Sequence, residues 1–352
     1  MKSLGEIGDC FIGLTYKPTD VVSEGGIIVF RSSNIQNGRI DYKDIVRVGK
    51  NVKEKLVTRK DDLLICARNG SARLIGKNAI LHETDTNQTF GAFMMVFRSS
   101  KNHFIHQLLN TRRYSSQVSE NLGARINQIT SSDLSAFEFF FPKENCEMDK
   151  IAKLLDLLDE RIATQNKIID KLQSLIRGIA QNVVRNNKPN VLLSDCLECS
   201  SSTLQESDVC EHGTYPVYGA NGIVGYLDNY NTGGEAIYII KDGSGVGTVS
   251  YVTGNCSATG TLNILQAKDG YSLQYLYYQL KVFNFEPYKT GMAIPHIYFK
   301  DYSKGNVYCP SYTEQLQYAR LLSAINRKLS AEQNILTTLS LQKQYLLRQM
   351  FI

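Results

Sequence analysis

Two stretches of this chain carry an apolar seam that steps by four and three residues without a slip, and the second stretch repeats the first. The first seam is Ile151, Leu155, Leu158, Ile162, Gln165, Ile169, Leu172, Ile176, Ile179 and Val183, apolar at nine of ten positions. Adding 167 to each number gives Tyr318, Leu322, Ile325, Leu329, Glu332, Leu336, Leu339, Lys343, Leu346 and Met350, apolar at eight of ten. A 3.5-residue spacing kept this strictly marks a helix-on-helix seam rather than a broad amphipathic face. No proline falls between 142 and 189 or between 310 and 352, so each helix can run unbroken.

The repeat extends beyond the helices. At an offset of 168, Gly123 falls on Gly291, Ile126 on Ile294, Ile129 on Ile297, Asp133 on Asp301 and Pro142 on Pro310. Upstream, Asn69-Gly70-Ser71 matches Asp242-Gly243-Ser244 at an offset of 173. The drift is what loops of unequal length between matched elements produce. The chain therefore reads as two units, each a mixed globular part followed by a long helix: 1–146, 147–186, 187–313 and 314–352. In the globular parts, Asp62 to Ala67 and Glu235 to Ile240 read as buried strands closed by Asn-Gly and Asp-Gly turns. Gly91 to Phe97 reads as a further strand, and Phe104 to Arg113 and Leu273 to Val282 as helices. The fold class expected is α+β, with two similar domains and two paired helices.

Composition narrows the function classes. Hydrophobic content of 43% and charged content of 21% suit a folded chain. No apolar run approaches membrane-spanning length, and the N-terminus lacks the apolar core of a signal peptide. The eight cysteines then read as reduced thiols of a cytoplasmic protein. The net charge is +5, but it is uneven: residues 1–145 carry +5 and residues 187–313 carry −4. The first segment suits a polyanionic partner; the third, by charge alone, does not.

The sequence shows no recognisable catalytic motif. No Pro-Pro occurs, which excludes the Asn/Asp-Pro-Pro-aromatic loop of amino-methyltransferases, and no Gly-Lys-Ser/Thr forms a P-loop. Gly243-Ser244-Gly245-Val246-Gly247 is glycine-rich but has no acidic residue at dinucleotide spacing. Asp20 with Asp41 and Lys43 imitates a nuclease metal pair that the second half does not reproduce. Cys196, Cys199, Cys210 and His212 have an atypical spacing for zinc and no equivalent in the first half, so they read as ordinary thiols and a loop histidine. His296 aligns with Gln128, which argues against a catalytic imidazole. No metal site is expected.

Two like domains joined by long helices make a ruler. The first seam covers 33 residues, roughly 50 Å of helix, and half-sites on duplex DNA repeat about every 34 Å. The chain resembles the specificity subunit of type I restriction-modification enzymes. The residues that carry the resemblance are LGEIGDCFIGLTYKP at 4–18, FRSSNIQNGRI at 30–40, DLLICARNGSARLIGK at 62–77, GARINQITSSDL at 123–134, YPVYGANGIVGY at 215–226, and the heptad helix after each domain. It implies two target recognition domains held by antiparallel helices with a pseudo-twofold, and an asymmetric bipartite DNA site. It also implies a non-catalytic chain that binds two methyltransferase subunits and, through them, restriction subunits. S-adenosylmethionine, ATP and Mg2+ would belong to those partners. A non-DNA-reading interaction scaffold is the competing class.

Under that resemblance the base-reading candidates lie in matched turns. They are Arg31, Ser32 and Asn34; Arg68, Asn69, Ser71, Arg73 and Lys77; Arg125 and Asn127; and Lys241, Asp242, Ser244 and His296. Arg pairs bidentately with guanine and Asn with adenine. Antiparallel helices would bring Ile151 to the Leu346–Met350 end. They would also place Gln165, near the middle of its seam, beside Glu332, a polar layer that sets register and orientation.

Overall fold

The computed structural model describes residues 1–122 and 127–351. They divide into two compact units: Met1–Thr164 together with Leu336 onward, and Gln165–Ile335. This division cuts both long helices, Asn145–Asn186 and Tyr312–Met350, near their middles.

The central sheet of the first unit has the strand order Asp9–Ile12, Met94–Arg98, Leu63–Cys66, Asn78–Ile80, all antiparallel. Its middle strands are buried on both faces, as their unbroken apolar runs require. Leu63, Ile65, Met95 and Phe97 pack with Phe104, Ile105, Leu108 and Tyr114 of the helices Asn102–Leu108 and Arg112–Asn121. Leu64, Cys66, Met94 and Val96 face a second core with Val29, Phe30 and Phe90 of a smaller sheet.

The second unit repeats the arrangement. Its sheet has the order Leu197–Ser201, Leu262–Ala267, Glu235–Ile240, Val249–Thr253, again antiparallel. Ile237 and Ile239 face one core; Ala236, Tyr238 and Ile240 face the other. The two sheets match strand for strand in order and direction, and even their turns agree. Gly76 and Gly247 donate to the carbonyls of Cys66 and Ile240. Both have left-handed φ, +79° and +87°, which glycine alone adopts without strain.

Three sequence expectations shift. The strand expected over Gly91–Phe97 is Met94–Arg98, because the Met94 amide bonds back to the Gly91 carbonyl and closes a turn before it. The helix expected over Phe104–Arg113 is two helices, because the Thr111 hydroxyl caps a new one by accepting from the Tyr114 amide. The third is a register. Ile129 donates to the Ala67 carbonyl and Ile297 to the Lys241 carbonyl; Asn69 donates to Asn127 and Gly243 to Pro295. Ala67 therefore matches Lys241, Arg68 matches Asp242, and Asn69 matches Gly243, one residue away from the Asn-Gly-Ser alignment.

Within each unit the long helices pair antiparallel. In the first, Ile151 lines one cavity with Met350 and Phe351, and Lys343 Nζ lies 2.5 Å from Asp159 Oδ1. In the second, Gln165 meets Glu332, while Tyr318 sits beside Tyr275. Leu155, Gln165, Ile169, Ile176, Leu322, Leu329, Glu332 and Leu339 are buried; Leu158, Ile162, Leu172, Ile325, Leu336 and Leu346 are half-buried.

The first unit fastens its globular part to the helices with charge. The Gln107 amide donates to Asp156 and Asp159 at 2.9 and 3.1 Å, and His103 Nδ1 lies 2.5 Å from Asp156. His106 is buried in the same cluster. Hydrogen bonding to Asp156 holds the His103 imidazole above its usual value, whereas burial pushes His106 down to about 4. The second unit has Tyr278 and Ser323 where the first has Gln107 and Asp156, joined by a hydroxyl contact of 3.4 Å.

Candidate functional site

Four turns of the first unit converge at the end of the central sheet. Strand Leu63–Cys66 ends in Arg68, whose backbone bridges to Gln128 and whose guanidinium lies 5.2 Å from the Phe93 ring centroid. The Asn69 amide donates to Ser32 Oγ at 3.0 Å, tying this turn to the loop 31–34. Its Oδ1 accepts from the Ser71 amide, and Asn127 Nδ2 donates to the Gly70 carbonyl. The result is a shallow cavity of about 680 Å³ lined by Tyr16, Arg31, Ser32, Ser33 and Phe93.

The candidates divide by what their side chains are free to do. Arg68 and Arg73 are exposed, and Lys77 is half-buried. Arg31 pairs with Asp44 at 2.8 Å, an exposed contact that a phosphate or base edge can displace. Asn34 is a correction. It is fully buried, accepts from the Arg31 amide and donates to the carbonyls of Asp41 and Asp44, so it shapes the loop rather than meeting a ligand. Asn69, Ser71 and Asn127 likewise hold the turns together. Arg125 lies outside the described residues.

Phe93 is absent from the sequence-based candidates although it is 58% exposed at the centre of the convergence. An isolated aromatic beside a glycine-containing turn reads as strand; only the turn at Gly91 brings it to the surface.

The second unit builds the same turns with other side chains. Asp242 and Ser244 are exposed, Lys241 and His296 half-buried. Asp242 bridges to His296 as Arg68 does to Gln128. His296 stacks edge-on against Tyr298 at 5.1 Å, and Lys300 Nζ lies 5.2 Å from the Tyr298 ring. Thr261 stands where the first unit has Phe93, since it accepts from Lys241 as Phe93 accepts from Ala67. The bridging position is therefore cationic in one unit and anionic in the other.

Cys196, Cys199, Cys210 and His212 do not converge. Among the described residues, the His/Cys/Asp/Glu group with metal-ligand spacing is His106, Asp156 and Asp159, and Lys343 occupies it with its ammonium. Burial pushes the Cys199 thiol up to about 11. Among the described residues, no helix is long and apolar enough to cross a membrane.

Comparison with known proteins places this architecture. Over 180 residues the chain is 29% identical to the type I restriction enzyme EcoKI specificity subunit of Escherichia coli (strain K12). Over 181 residues it is 28% identical to the StySPI specificity subunit of Salmonella potsdam. Each match covers 49% of this chain, and the chain spans 38% of the length of either relative. The crystal structure of a type I restriction-modification S subunit from M. genitalium shares the fold, with a TM-score of 0.72 at 18% identity, over 100% of this chain and 95% of that one. The type I restriction modification DNA specificity domain model matches residues 1–174 and 191–341, covering both halves of the repeat, and the chain belongs to that family.

Proposed function

We propose that this chain is the recognition subunit of a type I restriction-modification assembly, reading an asymmetric bipartite site on duplex DNA with one domain per half-site. The observation that carries this reading is the same set of turns built twice with opposite charge at the bridging position, Arg68 against Asp242. Arg suits the acceptor edge of guanine; Asp suits the amino donor of cytosine. Two domains with different chemistry at equivalent positions read different sequences.

The chain leaves catalysis to partners: two methyltransferase subunits, and restriction subunits through them, in the cytoplasm. S-adenosylmethionine, ATP and Mg2+ are cofactors of those partners. Exposed apolar side chains at helix positions related by 167, Leu154 with Leu321 and Ile168 with Ile335, support docking of partner helices.

The test is selection from a random duplex pool by the chain with its methyltransferase partner, followed by sequencing of the bound fraction. A gapped, non-palindromic motif is the expected product. In the Arg68→Ala variant, discrimination at one position of one half-site falls by about 1–3 kcal/mol. A bound fraction with no motif overturns the reading and leaves an interaction scaffold.

A further inference from the structure

Each unit has an open groove, away from the base-reading turns, where the recognition domain meets the long helices. In the second unit it has a volume of about 550 Å³, and Arg177 and Lys281 line it with Gln173, Asn326 and Thr248. In the first unit it has a volume of about 440 Å³, and Arg112, Arg113 and Arg348 line it with Asn110 and Gln344. The two occupy the same place in the repeat. Gln344 corresponds to Arg177 and Leu347 to Ala180 at the helix offset of 167. Asn110 corresponds to Lys281 and Thr111 to Val282, counted from the matched helix starts Asn102 and Leu273.

The chemistry is repeated although the residues are not. Neither groove is lined by an aspartate or a glutamate. The cations come from different positions: helix residue 177 and domain residue 281 in one unit, domain residues 112 and 113 and helix residue 348 in the other. A sign of charge kept while its positions change is the mark of a shared requirement rather than a residue inherited with the duplication. Arg113 is partly committed, donating to the Glu138 carbonyl and lying against Phe140. Lys281 has a Tyr277 ring 5.7 Å from its ammonium. Loss of hydration lowers its pKa, and the neighbouring Arg177 lowers it further. Two cations facing one groove without an acid between them leave a favourable seat for an anion.

We infer that each groove seats one backbone phosphate of the bound duplex. An arginine fork, a further cation and neutral amide donors suit the two non-bridging oxygens of a phosphodiester. This rests on the DNA-reading function proposed above and adds to it where charge is most needed. The second recognition domain is acidic, and Arg177 brings it a cation from the helix. Phosphate contacts made there fix the position of the duplex while the turns read its bases.

The test uses the full chain with its methyltransferase partner and a duplex carrying the selected motif. The logarithm of the binding constant is measured against the logarithm of salt concentration for the wild type, for Arg177→Gln/Lys281→Gln, for Arg112→Gln/Arg348→Gln, and for all four substitutions together. Each pair of substitutions reduces the slope by about 0.9, and the fourfold variant by about 1.8, with the selected motif unchanged. Reductive methylation of Lys281 in the wild type is suppressed by the duplex. Wild-type slopes in the variants, with Lys281 unprotected, overturn the phosphate seats and leave the DNA reading intact. Variants that keep the slope but no longer co-purify with the methyltransferase chain assign the grooves to an acidic protein surface, and also overturn it. A wild type with no salt-dependent duplex binding removes the DNA reading and the seats together.

Discussion

Gln165 donates its side-chain amide to Glu332 twice, to the backbone carbonyl at 3.0 Å and to the carboxylate. Both residues are buried in the seam. Lys328 and then Gln165 hold the Glu332 carboxyl below the usual carboxylate range. A polar pair at matched heptad positions costs stability and disfavours slipped registers, because any slip opposes one of the two with an apolar side chain.

Replacing one member therefore differs from replacing both. Gln165→Leu strips the carboxylate of an amide donor inside the seam and lowers the melting temperature. Gln165→Leu/Glu332→Leu restores it to or above that of the parent, because no polar group is left without its partner. A double variant as unstable as the sum of the singles would show that the two side chains do not act as a pair.

Lys343 and Asp159 form another polar contact between the helices, with side chains 14% and 27% exposed. Lys343→Met leaves Asp159 without its cation and costs about 1.5–3 kcal/mol in urea unfolding. The second unit has Ile176 and Asn326 at the corresponding positions. Transplanting that pair as Lys343→Ile/Asp159→Asn recovers most of the loss.

His106 makes the first unit acid-sensitive. Its folded pKa, about 4, lies below the ordinary value of 6.5. Between those limits the unfolded chain takes up a proton that the folded chain refuses, so stability falls as pH falls, by about 1.4 kcal/mol per pH unit at most. His103 acts in the other direction: its raised pKa stabilises the fold below 6.5, and that contribution is lost as pH rises through the folded value. Melting temperatures measured from pH 6.5 to 4 fall less steeply in His106→Leu than in the parent.

A fragment of residues 1–187 keeps the first helix and loses the whole second one. Its seam, from Ile151 to Val183, is then uncovered, and a second copy can cover it with a true twofold. Sedimentation at micromolar concentration should give a dimer, and a bound DNA site should be an inverted repeat. A helical monomer would show that the two seams are not interchangeable.

The seam was legible in the sequence because heptad spacing is local. Two residues in seven carry the signal wherever the partner lies, and the matched polar positions 165 and 332 were visible for the same reason. The repeat was legible because matched positions such as Ile129 and Ile297, Asp133 and Asp301, and Pro142 and Pro310 keep their residues even where the turns between them do not. Three things needed the tertiary structure. The register of Arg68 on Asp242 is set by hydrogen bonds from residues 127–129 and 295–297, far away in sequence. The burial of Asn34 depends on two carbonyls ten residues downstream or fewer, but on a loop conformation that no periodicity reports. The cationic grooves arise where elements from distant parts of the chain meet. Periodicity records which face of an element is apolar; which polar side chains are left facing solvent together is decided only when the elements pack.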